Sequence, residues 1–186
     1  MDEQKTKQDN NSGQRRPNRG EYGRRAPKEK SEFDSRMLDI ARVTRVTKGG
    51  KRFSFRTTVV VGDGKGRVGV GVAQGLDVAQ SMQKATSRAR KNVITITIKN
   101  GTIPHMIQHK YGSAVVLLKP APLGHGVKAG GAVRIVAKLA GIENITAKLI
   151  GRTGNKINIA RATIEALSKL KSQGLNIKPE TKNPEL

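Results

Sequence analysis

Residues 42–72 read RVTRVTKGGKRFSFRTTVVVGDGKGRVGVGV, and this stretch predicts three consecutive β-strands joined by two tight turns. Apolar residues alternate with polar residues or glycine over residues 53–61 and again over 68–72, which is the period of a strand with one buried face. Turns are predicted at residues 48–51 and 63–66, because glycine readily adopts the positive φ angles of hairpin turns. Strands joined in this way form an antiparallel sheet.

The segments on either side extend this sheet into a domain. Residues 37–46 alternate less regularly, so a bulge or bend is expected in the first strand. Downstream, Asp77 is a predicted helix N-cap, and apolar residues from Val78 to Val93 recur at spacings of three and four. A helix there would cover one side of the sheet. We therefore expect a β-β-β-α domain at residues 37–100.

The second half alternates strands and helices. The β-branched run at residues 93–98, followed by Asn100-Gly101, predicts a hairpin whose return strand covers residues 102–107. Residues 113–118 (SAVVLL) predict a strand buried on both faces. A helix at 132–140, a strand at 144–150 and a last helix capped by Asn155 complete a predicted α/β domain at residues 101–172. The expected fold class is therefore α+β, with two small domains.

The two ends of the chain differ from this core. Residues 1–36 hold ten Lys and Arg, seven Asp and Glu and almost no aliphatic side chain, so we expect a disordered tail with both basic and acidic residues. Residues 173–186 are expected to form a flexible tail.

Net charge is the strongest compositional signal. The chain has 36 Lys and Arg against 14 Asp and Glu, a net charge of +22, which predicts a polyanionic partner. It has no cysteine, which excludes disulfide scaffolds, cysteine-based zinc sites and thiol nucleophiles, and fits a reducing compartment such as the cytoplasm. No apolar run reaches 18 residues and the first residues lack a signal-peptide pattern, so neither a membrane span nor export is expected.

A nucleotide-binding enzyme is the first alternative to weigh. Gly64-x-Gly66-x-x-Gly69 follows a predicted strand and matches G-x-G-x-x-G literally. A dinucleotide fold needs a helix that opens at this loop and an acid about twenty residues later. Here another strand follows, and Lys84 lies where the acid would be. Glycine at a tight turn explains the spacing better, and ATP binding would distinguish the two.

Few residues are suitably placed for a metal site or for acid–base catalysis. His105 and His109 are four residues apart, but Pro104 and Gly112 beside them disfavour a helix that would present both to a metal. Residues 37–186 contain seven scattered acids, so paired-carboxylate catalysis is disfavoured. We therefore expect no enzyme activity, no cofactor and no metal.

The densest group of cations lies in the first predicted hairpin and the turn after it. Residues 42–67 carry eight cations and one acid, Asp63. Cations release counterions when they bind phosphates, and a glycine tip lets backbone N–H groups approach. The alternative is a solvated strand face, although unpaired cations repel one another unless a polyanion binds. Aromatic residues are few, so we expect recognition of RNA shape and backbone rather than base stacking. The candidate RNA-binding residues are Arg42, Arg45, Lys48, Gly49, Gly50, Lys51, Arg52, Phe53, Arg56, Lys65 and Arg67.

Five motifs occur together in order: RVTRVTKGGKRFSF (42–55), VVGDGKGRVGVG (60–71), QKATSRARKN (83–92), GVKAGGAVRIVAKLAGIENI (126–145) and INIARATIEAL (157–167). At this spacing the chain resembles the small-subunit ribosomal protein S5 family of bacterial or organellar type, over about residues 37–170. The resemblance implies a first domain like double-stranded-RNA-binding domains, a second α/β domain typical of the family, and a structural role in the small ribosomal subunit, bound to its rRNA. A free-standing nucleic-acid-binding protein is the rival hypothesis.

The resemblance also implies particular contacts. The hairpin would approach rRNA near the spectinomycin site at the head–body junction, and Thr44 joins Arg45, Lys48, Gly49 and Gly50 among the matching positions. The segment 124–134, with Gly124, Gly126 and Arg134, matches the face towards ribosomal protein S4, where changes affect decoding accuracy. Ribosomal protein S8 is a further implied partner. Family members also line the passage through which mRNA enters the subunit.

Overall fold

The computed structural model describes residues 32–170, which lie in one compact unit. Eight strands and three helices are formed by these residues. In chain order they are β1 (Asp34–Thr47), β2 (Gly50–Gly62), β3 (Arg67–Gly75), α1 (Val78–Lys91), β4 (Val93–Thr95), β5 (Ile107–Tyr111), β6 (Ala114–Pro120), β7 (Val127–Lys128), α2 (Gly131–Ala140), β8 (Ile145–Leu149) and α3 (Lys156–Ser168). β1 begins three residues inside the predicted N-terminal tail, and Glu32 and Phe33 before it are also described; residues 1–31 of that tail, and the predicted tail at 173–186, lie outside the described residues.

The first sheet has the order β1-β2-β3-β4 and is antiparallel throughout. Both predicted turns form, since Thr47 pairs with Gly50 and Gly62 pairs with Val68. The irregular alternation of the first strand is explained by a bulge between Met37 and Asp39.

The predicted hairpin at residues 93–107 is wrong in its strands. The Asn100-Gly101 turn is present, with positive φ at both residues, but only a single bridge, Lys99 to Thr102, closes it. β4 pairs with β3 instead, and the segment that would have been the return strand contains Pro104, which has no N–H to donate to a ladder. The strand of this region is β5, which pairs with β6.

Helix α1 lies directly on the glycines of β3. Its N-terminus is capped as predicted, with the Asp77 side chain accepting from the N–H of Ala79 at 3.3 Å. A β-carbon at Gly69 or Gly71 would overlap backbone atoms of α1, so glycine in these positions allows the helix to approach. The Arg88 guanidinium adds a hydrogen bond of 2.8 Å to the carbonyl of Val72.

The second sheet has the order β5-β6-β8-β7, with β7 parallel to β8. Helices α2 and α3 contact strands of both sheets, so the elements stack as α1, first sheet, α2 with α3, second sheet. Val60 and Val68 of the first sheet share one apolar core with Val133 and Val136 of α2. The division into domains at residues 37–100 and 101–172 stays a prediction.

β6 corrects a second prediction. Ala114, Val116 and Leu118 are buried, but the alternate residues Val115 and Leu117 are half-buried. Among residues 32–170, the helices pack on the face of Ala114, Val116 and Leu118 only, so the strand is not fully buried on both faces. Among residues 32–170, no helix is long and apolar enough to cross a membrane.

Candidate nucleic-acid interface

The distal part of the β1–β2 hairpin, residues 42–56, is named the arm. Burial rises along β2 from exposed residues at 50–53, through half-buried ones at 54–56, to fully buried ones at 57–62. On β1, every residue from Thr44 to Thr47 is exposed. The arm therefore extends beyond the helices that cover the rest of the first sheet.

The strand register distributes the cations over both faces of the arm. Arg45 lies directly opposite Arg52, and Arg56 follows on the same face. Arg42 and Lys51 belong to the other face, where they are opposite Phe55 and Val46. Like charges directly opposite each other in an antiparallel pair are unfavourable, so the Arg45–Arg52 pair does not stabilise the free protein.

The cations of the arm have no carboxylate partner among residues 32–170. Of the four ion pairs formed there, none involves Arg42, Arg45, Lys48, Lys51, Arg52 or Arg56. The one short-range contact is that of Arg42, whose guanidinium carbon lies 4.4 Å from the centroid of the Phe53 ring. This contact holds Arg42 in place and leaves its charge uncompensated.

The tip of the arm contains two glycines with different roles. Gly50 has φ 144°, which side-chain-bearing residues rarely adopt, and its carbonyl accepts a 3.2 Å hydrogen bond from the Thr47 hydroxyl. Gly49 has no atom within 4 Å of the position of a β-carbon. Glycine is therefore required by the backbone at Gly50, whereas nothing within the described chain requires it at Gly49.

The second predicted group of cations, Lys65 and Arg67, is separate from the arm. β2 is 13 residues long and connects the two turns, which places them about 40 Å apart at about 3.3 Å per residue. The eight cations of residues 42–67 therefore form two separate groups, because the two turns of consecutive antiparallel strands lie at opposite ends of the sheet.

Arg67 is also engaged within the chain. Its Nε donates to the Asp63 carboxylate at 2.6 Å, its Nη2 donates to the Glu32 carboxylate, and its guanidinium lies 4.9 Å from the Phe33 ring. The Asp63 carboxylate also accepts from the backbone N–H groups of Lys65 and Arg67, at 2.8 and 3.0 Å. Burial by itself would raise the pKa of Asp63, but these hydrogen bonds outweigh it and lower that pKa to about 2. Lys65 remains exposed.

The Gly64-x-Gly66 loop has no free backbone donors for a phosphate. Its Gly64 N–H donates to the carbonyl of Leu139 at 3.0 Å, and the Gly66 N–H to that of Ala140 at 2.9 Å. A β-carbon on Gly141 would overlap Gly64, so the glycines allow this turn to approach the C-terminus of α2 closely. These N–H groups join the first sheet to α2 and are not available to a phosphate, which argues against the nucleotide-binding alternative.

The other predicted residues lie elsewhere. Gly124 and Gly126, both with positive φ, precede β7, and the Gly126 N–H donates to the Asn144 side chain at 3.0 Å. Arg134 is exposed on α2. It borders an open pocket of about 780 Å³ lined by Gly64, Val127, Arg134, Lys138, Gly141, Ile142 and Glu143. The structure does not bring this segment together with the arm.

The histidines form no metal centre with other described residues. His109 Nε2 lies 2.9 Å from the Glu165 carboxylate, and its Nδ1 lies 3.4 Å from Lys169 Nζ. No group of three potential ligands is found in residues 32–170.

Sequence reasoning missed the network around Asp63. An aspartate before Gly-x-Gly is typical of a turn in which the carboxylate accepts following N–H groups, and this signal identifies the turn. The pairing of Arg67 with Glu32 joins residues 35 positions apart and has no local signal.

Comparison with known families gives two matches. A family model described as ribosomal protein S5, N-terminal domain, matches residues 33–97, and one described as ribosomal protein S5, C-terminal domain, matches residues 109–178. The arm lies inside the first match, and the segment 124–134 lies inside the second. The two matches follow each other in order and together account for most of the chain.

Proposed function

The chain belongs to the ribosomal protein S5 family, and we propose that its arm is the main rRNA contact and links the head of the small subunit to its body. As a member of this family it is a structural, non-enzymatic protein of the small ribosomal subunit that binds rRNA. The proposal concerns which residues make that contact and what the contact does.

The proposal rests on the arm, whose six cations have no carboxylate partner among residues 32–170. Holding like charges close together costs free energy in the unbound protein, and phosphates remove that cost while they release counterions. The proposed contact residues are Arg42, Thr44, Arg45, Lys48, Gly49, Gly50, Lys51, Arg52, Phe53 and Arg56. Lys65 would be a separate, minor contact, and Arg67 is left to its structural role.

The two-faced distribution of charge suits a link between RNA helices. Arg45, Arg52 and Arg56 would bind one phosphate backbone, while Arg42 and Lys51 on the other face would bind a second. A narrow, two-stranded insert can neutralise two helices that would otherwise repel each other. We propose that this link lies at the head–body junction, where it would hold the decoding region in position and support translational accuracy.

Further partners are also part of the proposal. We include in the proposal contacts with ribosomal proteins S4 and S8, with S4 at Gly124, Gly126 and Arg134, a contribution to the passage through which mRNA enters, and a cytoplasmic location.

The salt dependence of rRNA binding tests the arm directly. If six cations contact phosphates, affinity for a structured small-subunit rRNA fragment should fall on the order of 10³-fold between 50 and 200 mM salt. Replacing Arg45, Lys48 and Lys51 together by Glu should reduce the slope of log affinity against log salt by about half or more, because three of the six cations are lost. A matched control carries the same charge change at Lys110, Lys119 and Lys148 of the second sheet, and should retain most of the salt dependence. Equal losses in both variants would show that total charge, and not the arm, determines binding.

Growth assays test the role in the particle. The arm variant should impair subunit assembly or alter the response to spectinomycin, whereas normal growth with unchanged sensitivity would contradict the assignment. Sedimentation in a high-salt gradient distinguishes this role from the rival hypothesis. An integral subunit protein should stay with the ribosomes, whereas a free-standing nucleic-acid-binding protein would leave them.

A further inference from the structure

The outer face of the second sheet is left without a covering layer by the described residues. α2 and α3 pack on its inner face, and the first sheet contacts the second half of the chain through those helices. Four strands thus present side chains outward with no element of residues 32–170 against them.

The strand register identifies the side chains of this outer face. β5 pairs with β6 so that Lys110 is opposite Val115, and β6 pairs with β8 so that Leu117 is opposite Lys148. The same alternation places Lys119 beside Thr146, and Lys128 of β7 beside Thr146 on its other side. The outer face therefore consists of Gln108, Lys110, Val115, Leu117, Lys119, Lys128, Thr146 and Lys148.

An apolar centre and a basic rim distinguish this face from the arm. Val115 and Leu117 are half-buried, and Ile150, whose N–H donates to the Val115 carbonyl, is 52% exposed. The lysines around them are exposed, and none forms an ion pair with a described residue. The face contains no acid.

We propose that the outer face of the second sheet docks a protein surface with an apolar centre and a rim of carboxylates. Phosphates would pair with the lysines but leave the apolar centre exposed to solvent, whereas a protein surface can cover both. An apolar centre surrounded by a charged rim is the usual anatomy of a protein–protein interface. Charge complementarity selects the partner, since four uncompensated ammonium groups disfavour a basic surface.

The inference rests on the chain's place in the small ribosomal subunit, and the absence of cysteine makes it testable there. Lys148→Cys supplies a single thiol on an exposed position of the face, and Leu117→Cys supplies a second at its centre. In small subunits that contain the variant, the maleimide reaction of Cys at 148 should slow at least tenfold relative to the free protein. The rate should recover when the same particles are unfolded in urea.

Two crosslinking reactions identify what covers the face. A benzophenone attached at position 148 or 117 should link the chain to a protein. A carbodiimide, which joins amines to carboxylates, should couple at least one of Lys110, Lys119, Lys128 and Lys148 to an Asp or Glu of that protein. A link to rRNA, a link to this chain's own terminal segments, or an unprotected thiol in the particle would overturn the proposal. Absence of the wild-type chain from small subunits would instead contradict its family role, and with it this inference.

Discussion

Arg52→Gln should make the free protein more stable and its complex with rRNA weaker. Arg52 lies opposite Arg45 on an exposed face of the arm and has no carboxylate partner among the described residues. Removing one charge of a directly opposed like-charged pair should raise the free energy of unfolding by about 0.5 kcal/mol. Losing one charged hydrogen bond to phosphate should weaken binding roughly tenfold at low salt.

The same substitution at Arg67 provides the matched control. Arg67 pairs with Asp63 and Glu32 at the other end of β2. Arg67→Gln removes one of the hydrogen bonds that the Asp63 carboxylate accepts, and that side chain is only 4% exposed. We expect the free energy of unfolding to fall and the salt dependence of rRNA binding to stay unchanged.

Urea unfolding and rRNA titration at several salt concentrations measure both effects. Each phosphate contact contributes about 0.9 to the slope of log affinity against log salt. The fold loss of rRNA affinity between 50 and 200 mM salt should therefore be about 3.5 times smaller for Arg52→Gln than for the wild type. The reasoning is refuted if Arg52→Gln destabilises the protein, or if Arg67→Gln reduces the slope as much as Arg52→Gln does.

Three further predictions concern single positions. The pKa of Asp63 is lowered from 3.8 to about 2, so its ionised form contributes stability above pH 4 that is lost as the pH falls towards 2. In Asp63→Asn the free energy of unfolding, measured by urea titration at each pH, should therefore depend less on pH between 4 and 2 than in the wild type. Gly141→Ala, at φ 81° and against Gly64, should cost at least about 2 kcal/mol by urea unfolding, whereas Gly131→Ala, with open space at its β-carbon, should change stability by less than about 1 kcal/mol; similar costs would contradict the close approach of turn and helix. Gly49→Ala should leave the melting temperature unchanged but lower rRNA affinity if backbone N–H groups approach phosphates, and unchanged binding would remove Gly49 from the contact.

Local patterns were sufficient for most elements of the fold. The strands at 53–61 and 68–72, the two glycine turns and the caps at Asp77 and Asn155 all depend on residues close together in the chain, and each is confirmed. The single buried face expected of these strands is wrong for β2, because its residues 57–62 are buried on both faces. A turn, a cap or an amphipathic face is determined by neighbouring residues, so the sequence contains the information.

The errors lie where partners are distant in sequence. The run at 93–98 has strand propensity, but only residues 93–95 form a strand, because the available edge is that of β3 and the Ile96 N–H is taken by the Gly66 carbonyl. Likewise, an apolar run at 113–118 does not show whether one or two layers cover it. Strand pairing and layer order depend on contacts that no single segment encodes.

The candidate site shows the same limit in its charges. A count of cations over residues 42–67 does not distinguish the arm from the turn at Arg67, although carboxylates compensate Arg67 and the cations of the arm have no such partner among residues 32–170. At the turn, Asp63 and Glu32 compensate Arg67, and the second of these acids lies in a segment that was assigned to a tail. The number of cations predicted a polyanionic partner, but the structure was needed to distinguish cations that stabilise the fold from those that do not.

The arm departs from the rules that the rest of the sheet follows. It places Arg45 opposite Arg52, and it leaves Val46 69% and Phe53 49% exposed. Each departure costs stability in the isolated protein, and the well-packed layers below the arm tolerate that cost. Because nothing within residues 32–170 compensates these charges, the compensation must come from outside them. The uncompensated cations of the arm are therefore the positions at which we expect rRNA phosphates.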